Sequence, residues 1–462
     1  MLLSKRIGIV LVFAASAIFG TLGTRWIADR TRRPGALGGD LDPSAPAPLT
    51  PAAFSTDAII GNLQAYLPTH PADGLAYANL GIEYLQKVRE TGDPAYYAKA
   101  EGVLAKALNL DPQNFRALTG QGALALARHQ FQDALAWGQR ARALNPYNAG
   151  AYAIIGDAQI ELGQYPDAFA TFQHMVDLRP DLSSYARVSY ARELNGDRAG
   201  AIAAMQQAGE AGGVAGEGVS WARVQLGNLY FDQGDTPQAE QTYQAALEAW
   251  PNNPYAQAGV ANVWAAAGNY TQAISMYSRL VNTFPLPQFV ITLGDLYSVT
   301  GQTEAAAQQY DLVEAEDKLY TANGVDVDAE LALFDADHGR HLSDALTRAR
   351  AGYARRPSVT VADMLAWTLY KTGDYEGARQ LMDQALRLGT HNALMYFHAG
   401  MIAYQLGQTE TAATYLDKAL TLNPHFSLLY AGNAKSLLSA LRAAGLPAPN
   451  SLVSPFIGID RP

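Results

Sequence analysis

The sequence predicts an all-α fold, a solenoid of about ten stacked helix-turn-helix units with a capping helix at each end. Three features carry that reading. One alanine recurs at a nearly constant step along the 462 residues. Glycine and proline return at fixed offsets from it. Between these anchors apolar residues come back every three or four positions, the stripe that a helix buries.

The alanines are Ala100, Ala134, Ala168, Ala201, Ala239, Ala273, Ala306, Ala345, Ala378 and Ala412, at steps of 34, 34, 33, 38, 34, 33, 39, 33 and 34. A period of that size marks an array of supersecondary units. Five residues before seven of these alanines stand Gly163, Gly196, Gly234, Gly268, Gly301, Gly373 and Gly407. There the first helix of a unit ends, and the reversal needs the left-handed backbone that glycine allows. Twelve residues before, Gly122, Gly156, Gly227, Gly294 and Gly400 leave room where the two helix axes cross. Twelve residues after, Pro112, Pro146, Pro180, Pro251, Pro285, Pro357 and Pro424 stop the second helix. A single hairpin cannot cover its own apolar face, so only the stack is stable.

These residues resemble the tetratricopeptide repeat, whose pattern is W-x2-L-G-x2-Y, then A-x3-F, then P. Leu80-Gly81-x-x-Tyr84, Leu226-Gly227-x-x-Tyr230 and Leu293-Gly294-x-x-Tyr297 carry the first part. Ala168-x3-Phe172, Ala239-x3-Tyr243 and Ala273-x3-Tyr277 carry the second. The resemblance spans about residues 73 to 425. It implies a right-handed superhelix whose first helices line a concave wall, and a protein that holds a peptide or protein rather than an enzyme. The segments "SYARVSYARELNGD", "ALFDADHG" and "FHAGMIA" are also similar to exported or membrane-anchored bacterial repeat proteins.

In chain order, Lys5 and Arg6 precede an uncharged, mainly apolar run over residues 7–24. Basic-then-apolar order over such a length reads as a signal peptide or a single membrane anchor within residues 1–26. Arg25, Arg30, Arg32 and Arg33 follow it and favour the opposite orientation. The balance taken here is export, with the repeats in the bacterial cell envelope and outside the cytoplasm. Residues 27–54 are rich in proline, glycine and alanine and read as a flexible linker. Residues 55–72 supply the first cap, 73–214 units 1–4, 215–325 units 5–7 and 326–426 units 8–10. Residues 427–446 supply the last cap and 447–462 an irregular tail. Three stretches depart from the period. "RETGDPAYYAK" is expected to lengthen the turn of unit 1 and splay its helices. "GEAGGVAGEG" after unit 4 reads as a loop or hinge, and "EAEDKLYTANG" after unit 7 as an insertion that breaks regular stacking.

Projecting the period onto the first helices places a partner-binding wall. Its members are Tyr190, Glu193, Trp221, Val224, Asn228, Phe231, Tyr255, Asn262, Gln288, Asp295, Trp367, Tyr370, Met401 and Tyr404. Rings supply contact area, while amides and carboxylates bond an extended backbone. The wall pairs Val224 with Asn228 and Ala258 with Asn262 and lacks lysines, which argues against a clamp for a terminal carboxylate.

Composition removes several chemistries. The chain has no cysteine, which rules out disulfides, thiolate nucleophiles and Cys-ligated metals. A net charge of −10 argues against a sequence-independent hold on nucleic acid. No Gly-x-Ser-x-Gly, His-Glu-x-x-His or Walker loop is present, and no cofactor is expected. The one chemical cluster is "LFDADHGRHLSDA", with Asp335, Asp337, His338 and His341 in a turn region. It supports an alternative reading as a metal- or small-ligand-binding sensor, set against the common use of Asp and His as helix caps.

Overall fold

A computed structural model describes residues 55–213 and 216–443. Among them the chain forms 22 α-helices, one 3-10 turn and no strand. The first cap is α1 (Thr56–Tyr66), capped by Ser55 Oγ and continued by a 3-10 turn at Leu67–Thr69. Ten hairpins follow: α2 (Gly74–Thr91) with α3 (Ala95–Leu110), α4 (Phe115–Ala127) with α5 (Phe131–Leu144), α6 (Ala149–Glu161) with α7 (Tyr165–Leu178), α8 (Leu182–Leu194) with α9 (Arg198–Ala211), and α10 (Glu217–Asp232) with α11 (Thr236–Ala249). Units 6 to 10 are α12 (Pro254–Ala266) with α13 (Tyr270–Thr283), α14 (Pro287–Val299) with α15 (Thr303–Ala322), α16 (Asp328–His338) with α17 (Leu342–Arg355), α18 (Val359–Lys371) with α19 (Tyr375–Ala385), and α20 (Ala393–Gln405) with α21 (Thr409–Leu422). The last cap is α22 (Ala431–Ala443). The N-terminal apolar run, the linker and the tail from residue 447 lie outside the described residues.

All ten register alanines are buried, and nine of them are 0% exposed. In units 1, 3, 5, 7 and 10 the large residue four positions after the alanine (Leu104, Phe172, Tyr243, Tyr310 and Leu416) covers a glycine of the partner helix, whereas in units 2 and 8 that position is Gly138 and Ala349. A Cβ added at Gly227 would sit 2.6 Å from the Tyr243 ring, and one at Gly294 would sit 2.5 Å from Tyr310. The turn glycines adopt the left-handed backbone that the period predicts, with Gly196 at φ 75° and Gly268 at φ 83°. In unit 2 the left-handed position falls to His129, while in unit 8 Gly339 ends the first helix at φ 63° and His341 precedes the second at φ 43°. His129 and His341 are the only non-glycine residues with positive φ among the described residues.

Of the two insertions, the first departs from expectation and the second meets it. In unit 1 the extra residues lengthen helix α2 to 18 residues and leave a short turn at Gly92. The hairpin is not splayed, since Leu104 packs directly over Gly81. After unit 7 the insertion extends α15 to 20 residues. Helices α15 and α16 approach each other less closely than any other second helix and the helix that follows it, which is the break in regular stacking that the sequence predicts. In both cases the residues ahead of the terminating glycine, Gly92 or Gly324, are helix-compatible, so they continue hydrogen bonding rather than leaving backbone groups unpaired. After unit 4, α9 ends at Ala211 and α10 begins at Glu217, with Gly213 and Gly216 between them at φ 99° and 105°.

The solenoid winds tightly enough to touch itself. Call the connection inside a unit its turn and the connection to the next unit its loop. The turns of units 1 to 5 rest on the loops that follow units 6 to 10. Gly92 lies against Leu286, and its carbonyl accepts a hydrogen bond from the Tyr320 hydroxyl at 3.2 Å. The Arg128 carbonyl accepts from Asp326 N at 3.0 Å. The Tyr165 hydroxyl accepts from Val359 N, 194 residues away, at 2.7 Å. Thr390 Oγ1 donates to the Leu194 carbonyl at 2.5 Å, and Asn423 Nδ2 donates to the Phe231 carbonyl at 2.9 Å. Apolar packing follows the same route, with Phe172 and Tyr190 in one core cluster with Val359 and Met395.

Candidate partner-binding wall

In the first helices, the position eleven residues before the register alanine is polar in units 3, 5, 6 and 7. In units 5, 6 and 7 this position is Asn228, Asn262 and Asp295. The tyrosine that covers the crossing in the same unit reaches past the small residue and donates its hydroxyl there. Tyr243 bonds Asn228 at 2.8 Å, Tyr277 bonds Asn262 at 2.5 Å, and Tyr310 bonds Asp295 at 3.1 Å. The amides and carboxylate expected to hold a peptide backbone are thus engaged within their own hairpins. In unit 3 the covering residue is Phe172, which has no hydroxyl, and the same position is Asp157. Asp157 instead pairs with Arg187 of unit 4, Nε to Oδ1 at 2.8 Å and Nη2 to Oδ2 at 2.6 Å. This two-pronged pair is fully buried. Such a geometry offsets much of the cost of placing two charges inside the protein. Neither residue carried a signal in the sequence, because nothing local marks Asp157 and Arg187, 30 positions apart, as partners.

Units 8 to 10 change character. Trp367 stacks on Tyr370 at 4.6 Å and on His398 at 4.1 Å between ring centroids. Its indole N–H donates to Asp337 Oδ1 at 2.8 Å, and the Tyr430 hydroxyl donates to the same oxygen at 3.0 Å. His398 and Asp363 form a buried contact, Nδ1 to Oδ1, at 2.8 Å.

Most of the expected wall is core. Tyr190, Trp221, Val224, Phe231, Asn262, Asp295, Trp367, Met401 and Tyr404 are all buried. Glu193, Asn228, Tyr255, Gln288 and Tyr370 keep partial exposure. The projection placed these residues on the inner side, but the close winding fills that side with their rings. Of the residues projected onto the wall, only this subset is not buried.

The Asp/His cluster disperses. His338 sends Nε2 toward Asp295 at 2.8 Å and Nδ1 toward the Phe334 carbonyl at 2.7 Å. With an acceptor at each nitrogen the ring is suited to being an imidazolium. Burial opposes the charge, but the Asp295 carboxylate outweighs it and holds the His338 pKa above the ordinary value. Asp337 faces Trp367 and Tyr430, whereas His341 lies 3.8 Å from Asp335 and 3.9 Å from Glu314. Burial raises the Asp335 carboxyl to about 6, against the pull of His341. No group of three or more His, Asp or Glu among the described residues is placed to hold a metal ion. The residues point to different neighbours because each answers to a different adjacent helix.

Three comparisons bear on this architecture. A tetratricopeptide-repeat family profile matches residues 91–149, 224–288 and 364–425. Cellulose synthase 1 operon protein C of Komagataeibacter xylinus is 28% identical over 204 residues, which is 41% of this chain. The chain spans only 14% of that relative's length. A TPR protein of Thermus thermophilus aligns at 21% identity over 42% of this chain and 99% of its own, with a TM-score of 0.37. The human IFIT1 dimer aligns at 14% identity over 71% of this chain and 76% of its own, with a TM-score of 0.46.

Proposed function

We propose, from the premise that this chain belongs to the tetratricopeptide-repeat family, that it is a non-enzymatic scaffold holding a peptide or protein partner at the bacterial cell envelope. The observation that carries this is the partly exposed inner subset of Glu193, Asn228, Tyr255, Gln288 and Tyr370. These residues are backed by a rigid floor of buried rings. A preorganised floor lowers the entropy lost on binding, and half-exposed aromatics beside polar groups are the composition of protein-binding surfaces.

The envelope assignment rests on the basic-then-apolar order of residues 5–24. No helix of the described residues is long and apolar enough to cross a membrane, so residues 7–24 would carry any anchoring, with the repeats extracytoplasmic.

The test is photo-crosslinking in cells. A benzoylphenylalanine placed at Gln288 or Tyr370 of the full chain should capture a discrete protein. The same probe at exposed Glu376 should not. Equal capture at all three positions, or none at Gln288 and Tyr370, rejects the inner wall. Protease access in intact cells with the N-terminal mass tests the location separately: repeats protected until lysis would reject export.

A further inference from the structure

The contact between successive windings has two faces, and each exists twice in the chain. One copy of each face is occupied and one is open. The loops after units 6, 8 and 10 bury Phe284, Arg356 and Asn423, because turns of earlier units rest on them. The same register position after units 2 and 3 is Asn145 and Arg179, both exposed.

The open loops also match the occupied ones in sequence and local geometry. Arg179-Pro180 repeats Arg356-Pro357, and Asn145-Pro146 repeats Asn423-Pro424. Asn423 Oδ1 accepts from His425 N at 2.8 Å, and Asn145 Oδ1 accepts from Tyr147 N at 3.1 Å. The turns show the same duplication. Leu162-Gly163-Gln164 of unit 3 rests on Pro357, and Leu406-Gly407-Gln408 of unit 10 repeats it. A Cβ at Gly163 or Gly196 would strike a backbone carbonyl of the next winding at 2.7 and 2.5 Å, whereas one at Gly268, Gly301 or Gly373 would meet nothing within 4 Å.

The open loop face is also apolar. Leu75 (39% exposed), Leu110 (38%), Leu144 (41%) and Tyr147 (82%) lie together at the loop side of units 1 and 2. They account for four of the seven large apolar side chains exposed among the described residues. A patch of this kind on a face built for a turn marks an interaction site.

We infer that a second copy of this chain docks head to tail, with the open turns of its later units on the loops that follow units 1 to 5. The contact continues the winding-on-winding interface already present within one chain. Because the two faces differ, the association does not close as a symmetric dimer and extends as a filament. This inference is independent of the partner wall and of the membrane assignment.

The test uses the full chain in detergent. Sedimentation should show a mean mass that climbs with protein concentration past that of a dimer. Leu144→Glu combined with Tyr147→Glu should hold it at one chain across the same range, with an unchanged melting temperature because both positions are exposed. The chain has no cysteine, so single cysteines report the contact directly. Tyr147→Cys mixed with Gln302→Cys should give a covalent dimer with a bis-maleimide, and each variant alone should give none. A single mass at every concentration overturns the inference. Association untouched by the double glutamate variant points to the leader or another face and overturns it as well. Self-crosslinking of Tyr147→Cys alone would mean a symmetric contact, with the same consequence.

Discussion

The turns of units 4 and 6 share a glycine at one register position and a backbone conformation, yet they sit in different surroundings. Gly196 and Gly268 both hold left-handed φ angles, 75° and 83°, and each ends the first helix of its unit. Gly196 lies against the Gly389 carbonyl of the next winding, while Gly268 faces open space. The unit therefore fixes the local conformation, and its place in the winding decides what that conformation is worth. Every unit is thus also tied to residues about two hundred positions away, units 1 to 5 through their turns and units 6 to 10 through the loops that follow them. The turns of units 6 to 10 are held by their neighbours in sequence alone.

The largest expected separation comes from alanine at these two glycines. Each substitution meets the left-handed penalty of roughly 1–2 kcal/mol. Gly196→Ala also forces a Cβ to 2.5 Å from a carbonyl oxygen, an overpacking that costs about 1–3 kcal/mol more. Urea midpoints should fall clearly further for Gly196→Ala than for Gly268→Ala. Equal falls would mean that the windings do not touch in solution. Tyr165 and Tyr270, at one register position in units 3 and 6, sharpen the contrast. Tyr165→Phe strands the buried Val359 N–H, which costs about 1–3 kcal/mol. Tyr270→Phe, at a partly exposed ring outside the winding contact, should stay within about 0.5 kcal/mol.

The smallest effect is in pH dependence, at the resting turn of unit 2. His129 Nδ1 contacts the Asp326 carbonyl at 2.7 Å and lies 3.9 Å from Glu330, which Arg356 also binds. Burial is the main cause lowering the His129 pKa, and Arg356 adds to it. Burial would raise Glu330, but Arg356 and then His129 override it and hold the carboxyl at about 2. Both shifts are downward, so the unfolded chain binds these protons first as pH falls. The stability they contribute is complete above about pH 6.5 and is lost first through His129, then through Glu330 below about pH 4.5. Glu161 nearby works in reverse. Burial raises it to about 7 against the pull of Arg356, so its contribution declines as pH rises from about 4.5 to 7. His129→Asn keeps a residue that tolerates the left-handed backbone and removes one titration. Denaturation midpoints measured from pH 7 down to 5 should fall less steeply in that variant. A slope equal to the parent's would show that the turn of unit 2 does not shield its histidine.

Much of this architecture was legible in the residues. The ten alanines and the turn glycines are local features, fixed by the need of two helices to cross closely, and each unit repeats that need. Both capping helices were legible for the same reason, since an apolar stripe beyond the last register alanine needs a cover. The winding was not. It accumulates from small tilts between units, and no single residue encodes a contact such as Tyr165 with Val359. The wall shared that fate. Trp221, Trp367 and Met401 project to the inner side at every reading of the period, but whether that side is a groove or a core depends on how tightly the coil closes. His338 and Asp295, 43 positions apart, are adjacent only because units 7 and 8 stack.

The self-contact of the coil also sets an order of events during synthesis. Units 1 to 5 can form hairpins as they leave the ribosome, because their internal contacts are local. Gly92 has nothing to rest against until Leu286 has been made, and the Phe231 carbonyl waits for Asn423. For most of translation the first half of the molecule is therefore a loose spring, and its windings meet only once the loops of units 6 to 10 have emerged.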